Sequence, residues 1–106
     1  LHCPDVIYEI EDLVYVPSVE IAKHEEIVDT LLKNMMEVTG RKPKIAGAGP
    51  WNDAWMLVTR GIPTVAGFGP DGENAHGANE YVSLDSLKEV TKIYLRTVVD
   101  YLGIKK

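Results

Sequence analysis

Residues 67–80 read GFGPDGENAHGANE. The stretch is polar, carries four glycines, and follows directly on an apolar run, Pro63 to Phe68, that reads as a buried strand. Glycines let a backbone turn sharply and give a neighbouring side chain room to project. A loop at the carboxyl end of a strand is where open α/β sheets place their chemistry. His76, flanked by Ala75 and Gly77, is therefore the leading functional residue.

Working towards the amino terminus, Gly61 and Pro63 bracket the start of that strand. Asp53 to Arg60 reads as a short helix, with Asn52 as its cap and Asp53 in its first turn. Lys44 to Ala48 is a short strand, turned by Gly47-Ala48-Gly49-Pro50. That Gly-x-Gly lacks the third glycine of a dinucleotide fingerprint. Ser18 to Val38 reads as a helix, because Ile27, Val28, Leu31, Leu32 and Met35 follow a 3.6-residue period. Gly40 is its natural C-terminal cap, and Pro43 stops continuation. Glu25-Glu26 beside His24 looks like a metal group, but consecutive helical residues diverge, so a solvated acidic face is expected. Val6 to Val16 favours one or two half-exposed strands, ended by Pro17.

Towards the carboxyl terminus, Tyr81 to Leu84 is brief and extended. Ser83 or Asp85 caps a final helix reaching about Leu102. Leu87, Val90, Tyr94, Val98 and Tyr101 mark its buried stripe, Gly103 ends it, and Lys105-Lys106 form a polar tail.

Strand, helix, strand, helix, strand, loop, helix implies right-handed crossovers and a mostly parallel sheet covered by helices, an α/β fold. Only two or three strands are good, so one sheet edge would be bare, which parallel sheets avoid. The chain starts at Leu1, nearly on a strand. Both features are expected of a piece of a larger sheet.

The 106 residues are 45% hydrophobic and 25% charged, enough for one small globular domain. The net charge of -5 argues against nucleic-acid and anionic-membrane partners. Apolar runs are too short to span a bilayer, and no signal peptide is visible. The single cysteine, Cys3, suits a free thiol in a reducing, cytoplasmic setting.

Further motifs carry a resemblance. From Gly49 onward, Asn52-Asp53-Ala54, Gly61-Ile62-Pro63-Thr64-Val65, Phe68-Gly69-Pro70, Ala75-His76, Asn79-Glu80 and Tyr81-Val82 fall in a familiar order. They resemble the carboxyl-terminal part of the acetylornithine deacetylase, succinyl-diaminopimelate desuccinylase, aminoacylase and glutamate carboxypeptidase family of co-catalytic zinc hydrolases. The first strand resembles the end of that family's inserted lid domain. The resemblance implies that residues 1–16 end a lid or connecting strand, and that 17–106 form the carboxyl-terminal part of a catalytic domain.

It also implies that His76 is a metal ligand, which suits imidazole chemistry. Two zinc ions per intact active site are implied, with cobalt or manganese as alternatives. The family's other ligands, an amino-terminal His-x-Asp, a bridging Asp and a Glu-Glu pair, have no counterparts here, so no catalytic residue is expected in this chain. Asn52, Asp53, Trp55, Gly69, Asn79 and Glu80 would lie around the metal or the substrate. Trp55 stands where several members carry an arginine that grips a substrate carboxylate. Trp51 and Trp55 would line an apolar pocket or serve only as packing residues.

The implied reaction is hydrolysis of an amide or peptide bond in a small N-acylated amino acid or short peptide. The piece alone would be inactive, completed by the rest of its parent chain. The alternative is a non-enzymatic α/β module that binds a partner along its open edge. Edge-to-edge homodimerisation would also cover that strand.

Overall fold

The computed structural model describes residues 5–104. Cys3 and the Lys105-Lys106 tail lie outside them. Three helices and one small hairpin make up the regular structure among the described residues. In chain order these are α1 (Glu26–Thr39), α2 (Ala54–Val58), β1 (Gly72–Glu73), β2 (Tyr81–Val82) and α3 (Leu84–Leu102). The strands pair antiparallel, Gly72 with Val82 and Glu73 with Tyr81.

α1 begins eight residues later than the periodicity suggests, at Glu26 rather than Ser18. Glu25 before it is extended, and Ala22 to Glu25 form a turn closed by a 3.2 Å backbone bond. The reason lies in the apolar spacing, which starts at Ile27. Residues 18–25 have no such face to bury, and a helix without one gains little from tertiary packing. The far end matches expectation. Gly40 is left-handed at φ 67° and its N–H bonds the Met36 carbonyl, as an αL cap does.

α3 also keeps its expected ends. Ser83 caps it, its Oγ accepting from Ser86 N–H at 3.3 Å, and Gly103 follows it at φ 74°. Its buried stripe, however, is rotated from the one anticipated. Ser86, Val90, Ile93 and Thr97 are buried, whereas Leu87, Tyr94, Val98 and Tyr101 are exposed. The most apolar arc of α3 therefore faces away from its partner, and a slightly polar arc meets α1.

That meeting is the core. Leu31 of α1 packs with Val90 and Ile93 of α3, the only buried apolar residues described. Asn34 of α1, fully buried, donates through Nδ2 to Thr97 Oγ1 and Asp100 Oδ2, both at 3.3 Å. Lys33 Nζ reaches the same Asp100 oxygen at 3.4 Å. Arg96 with Glu37 joins the two helices from outside, and Arg41, just past the end of α1, reaches Glu89 of α3 at 2.8 Å.

No parallel sheet is found among the described residues. Val6 to Val16, Lys44 to Ala48 and Pro63 to Phe68 all lack strand pairing. Their β-branched and aromatic composition is real, but a strand is defined by a ladder partner, and none of the three finds one. Ile10 and Val14 remain 79% and 77% exposed. The radius of gyration is 18.9 Å, against about 13 Å for a compact chain of this length. The expected helix Asp53 to Arg60 shortens to Ala54–Val58, because its last residues turn into Gly61 and Ile62 through bonds to Val58 and Leu57 carbonyls.

Asp100 has its pKa lowered, first by the Asn34 hydrogen bond and then by Lys33. A lowered folded-state pKa contributes stability above the unfolded value, about 3.9, that is lost as pH falls through the folded one. Asp100→Asn is thus expected to show a shallower fall of thermal midpoint than wild type below about pH 3.9. Parallel slopes for the two proteins would remove Asp100 from the acid response.

Candidate metal-ligand loop

The segment carrying His76 grows out of the amino end of α3. Asp71 is held on both of its backbone groups. Its N–H donates to Ser86 Oγ at 2.6 Å, and its carbonyl accepts from Ser83 N–H at 2.8 Å. One residue later β1 begins and pairs with β2, which runs straight into the Ser83 cap. Residues 74–80 close this hairpin, with His76 near its tip.

The sequence suits that path locally. Asn74, His76 and Asn79 have φ of 59°, 62° and 59°. Asn and His are among the non-glycine residues that tolerate the left-handed region best. Three such residues so close together turn the chain tightly, and Gly77 N–H bonds the Asn74 carbonyl at 2.7 Å. Gly72 must be glycine for another reason. A Cβ there would collide with the Tyr81 carbonyl oxygen across the ladder.

A second tether lies upstream. The Tyr94 hydroxyl of α3 donates to the Phe68 carbonyl at 2.6 Å. The two rings meet edge to face, with centroids 5.4 Å apart at 81°. Gly67, at φ 72°, lets Ala48 approach to 3.1 Å of where a Cβ would stand. The Gly47–Pro50 turn and the loop entrance are thereby neighbours.

His76 is solvent-exposed, as are Asn79, Glu80 and Gly69. Asn52 and Asp53 sit elsewhere, on the rim of an open depression of about 470 Å³ between α2 and Thr64–Gly67. Asn52 does act at the start of α2, where its Oδ1 accepts from Ala54 N–H at 3.0 Å. Asp53 makes no side-chain cap bond. Neither tryptophan lines the depression. Trp51 is exposed, and Trp55 is half-buried with its indole N–H lacking an acceptor. The expected residues thus fall into two groups: His76, Asn79 and Glu80 on the hairpin, Asn52 and Asp53 beside α2.

His24 pairs only loosely with Asp29, at 4.0 Å on the exposed start of α1. No three His, Cys, Asp or Glu residues converge among the described residues. The loop therefore offers one imidazole. An exposed ring on a tethered, left-handed residue is a donor that zinc accepts, but a zinc site takes three or four ligands. One exposed imidazole fits at most a single ligand position, and the described residues do not complete a site.

Two anchoring residues escaped the sequence reading. Ser86 carries no motif, and Tyr94 reads as an ordinary core position. The spacing Ser83-x-x-Ser86 at a helix start was the one available signal.

A model of peptidase family M20/M25/M40 matches residues 6–100, and the chain belongs to that family. Its members are generally metal-dependent peptidases and related hydrolases. No solved structure matches the chain. No helix among the described residues is long and apolar enough to cross a membrane.

Gly72→Ala is expected to open the hairpin, because the new methyl group displaces the Tyr81 carbonyl. Amide exchange at Glu73 and Tyr81 should accelerate while that of α1 stays at its wild-type rate. Unchanged protection at both positions would show that the ladder accommodates a side chain.

Proposed function

We infer that this chain is part of the catalytic domain of a metal-dependent hydrolase related to acetylornithine deacetylase, succinyl-diaminopimelate desuccinylase, aminoacylase and glutamate carboxypeptidase. The parent cleaves an amide or peptide bond in a small N-acylated amino acid or short peptide. Residues 1–16 end a lid domain or connecting strand, and 17–106 are the carboxyl-terminal part of the catalytic domain. The observation that carries the reading is the placement of His76. Its family segment projects an exposed imidazole from a left-handed residue on a hairpin tethered to α3. Backbone held in such a region clusters at functional sites.

Bound zinc supplies Lewis acidity towards the scissile carbonyl and a water of lowered pKa. His76 contributes one imidazole nitrogen to one of two metal positions, and cobalt or manganese serves the same donor. Asn79 and Glu80 follow it on the same hairpin, within reach of the same region. Gly69 keeps the loop entrance free of side chain where substrate approaches. Asn52 and Asp53 border the open depression and orient substrate or neighbouring ligands by hydrogen bonding. Trp55 cannot form the bidentate ion pair of an arginine. The substrate is then gripped less by its carboxylate, which leaves room for a peptide or an unusual acyl group. The proton-shuttling carboxylate comes from elsewhere in the parent.

The working environment is cytoplasmic, with a small-molecule substrate, no nucleic acid and no membrane surface. A homodimer is compatible with the large exposed apolar area. The alternative, a non-enzymatic module docking through an open strand edge, finds less support. The only strand pairing among the described residues is the short β1–β2 ladder.

In the whole protein, His76→Ala is expected to lower turnover by at least about a hundredfold, since even outer hydrogen-bonding partners of a metal ligand cost 10–100-fold. Turnover within a few fold of wild type would remove His76 from the metal. Residues 1–106 alone are expected to show no metal-dependent amidase activity. Turnover by that piece would show that it carries a complete site of its own.

A further inference from the structure

We propose that Tyr94 and Ser86 of α3 are positioning residues for His76, holding the hairpin in place before a metal arrives. The proposal rests on the reading of His76 as a ligand and adds what sets its affinity. A donor on a loose loop must be ordered at the moment of binding, and that ordering opposes affinity. A donor on a loop already fixed avoids the loss.

The two tethers grip the chain just before the hairpin. The Tyr94 hydroxyl donates to the Phe68 carbonyl at 2.6 Å. The Ser86 hydroxyl takes the Asp71 N–H at 2.6 Å. Tyr94 and Ser86 are separated by about 12 Å along the helix axis. Phe68 to Asp71 spans at most about 10 Å when extended. The loop entrance is thus laid along α3 and fastened near both ends. The exit needs no extra tether, since β2 leads directly into the α3 cap. That cap and the lower tether form one network: Ser83 N–H bonds the Asp71 carbonyl at 2.8 Å, while Ser83 Oγ accepts from Ser86 N–H.

The Tyr94 hydroxyl is not needed for the fold of α3. The helix packs on α1 through Val90, Ile93 and Thr97, and Tyr94 lies outside that seam, 46% exposed. Its only described polar contact is to the loop. Tyr94→Phe keeps the ring against Phe68 and removes that contact alone. Ser86 lies at the edge of the buried seam, so Ser86→Ala tests the lower tether with more risk to the helix.

The experiment uses the whole protein, stripped of metal. Two quantities are read: amide exchange over residues 71–82, and affinity for Zn(II) by competition with a chromophoric chelator. Tyr94→Phe and Ser86→Ala are each expected to speed exchange in that segment and to weaken Zn(II) binding about tenfold. Thr91→Ala, which removes an exposed hydroxyl bonded to the Leu87 carbonyl on the same helix, should change neither. If both tether variants keep wild-type loop exchange and Zn(II) affinity, the proposal is overturned, even where their thermal midpoints fall. His76→Ala separates the two levels. Loss of Zn(II) binding there, with no loss in the tether variants, overturns the tethers alone. Unchanged Zn(II) binding in His76→Ala overturns the ligand reading and the tethers with it.

Discussion

The contact between α1 and α3 supports everything else in this chain. It is small: Leu31, Val90 and Ile93 are its buried apolar residues, and Asn34 sits fully buried among them. The ion pairs around the contact are partly exposed, and such pairs contribute about 0–1 kcal/mol each. They decorate the seam rather than create it. Asn34 has the larger say in how the helices align. Its Nδ2 donates to both Thr97 and Asp100, and a slide of one turn would strand it. Its Oδ1 has no partner among the described residues, so the alignment is held at some cost. A buried amide that sets register at the expense of stability is a known device in paired helices.

Because α3 is fixed, it can serve as a rail for the loop that carries His76. Both ends of the hairpin attach to it, through the Ser83 cap and through the Ser86 and Tyr94 hydroxyls. The loop carrying His76 is anchored on a helix by these bonds. Backbone geometry then does the rest. Left-handed residues at 74, 76 and 79 fold the tip back on itself, which leaves the His76 ring exposed. The chain belongs to peptidase family M20/M25/M40, whose members are generally metal-dependent, and this loop presents one exposed imidazole.

The outward arc of α3 has a related meaning. Leu87, Tyr94, Val98 and Tyr101 form the strongest apolar stripe on the helix, yet all are exposed. The same holds for Ile10 and Val14 in the amino-terminal segment. Exposed apolar stretches of this extent carry a free-energy penalty unless something covers them. The three segments with strand-like composition also lack ladder partners. A helix face without a sheet and strands without neighbours are two aspects of one deficit, since helices in α/β folds bury their apolar arcs on the strands they connect.

Local chemistry made much of this readable. The Gly40 and Gly103 stops, the Ser83 cap, the extent of α3 and the loop with His76 follow from short-range rules about φ, capping and turn residues, which act between residues a few positions apart. Family membership was legible too, because its motifs are local strings. Tertiary structure alone decided the rest. Which arc of α3 is buried depends on what stands opposite, and α1 offered Asn34 rather than a purely apolar surface. Whether Val6 to Val16 or Pro63 to Phe68 becomes a strand depends on hydrogen-bonding partners far along a chain, and propensity cannot supply them. The tethers from Tyr94 and Ser86 span 26 and 15 residues, so no periodicity within one helix could have announced them.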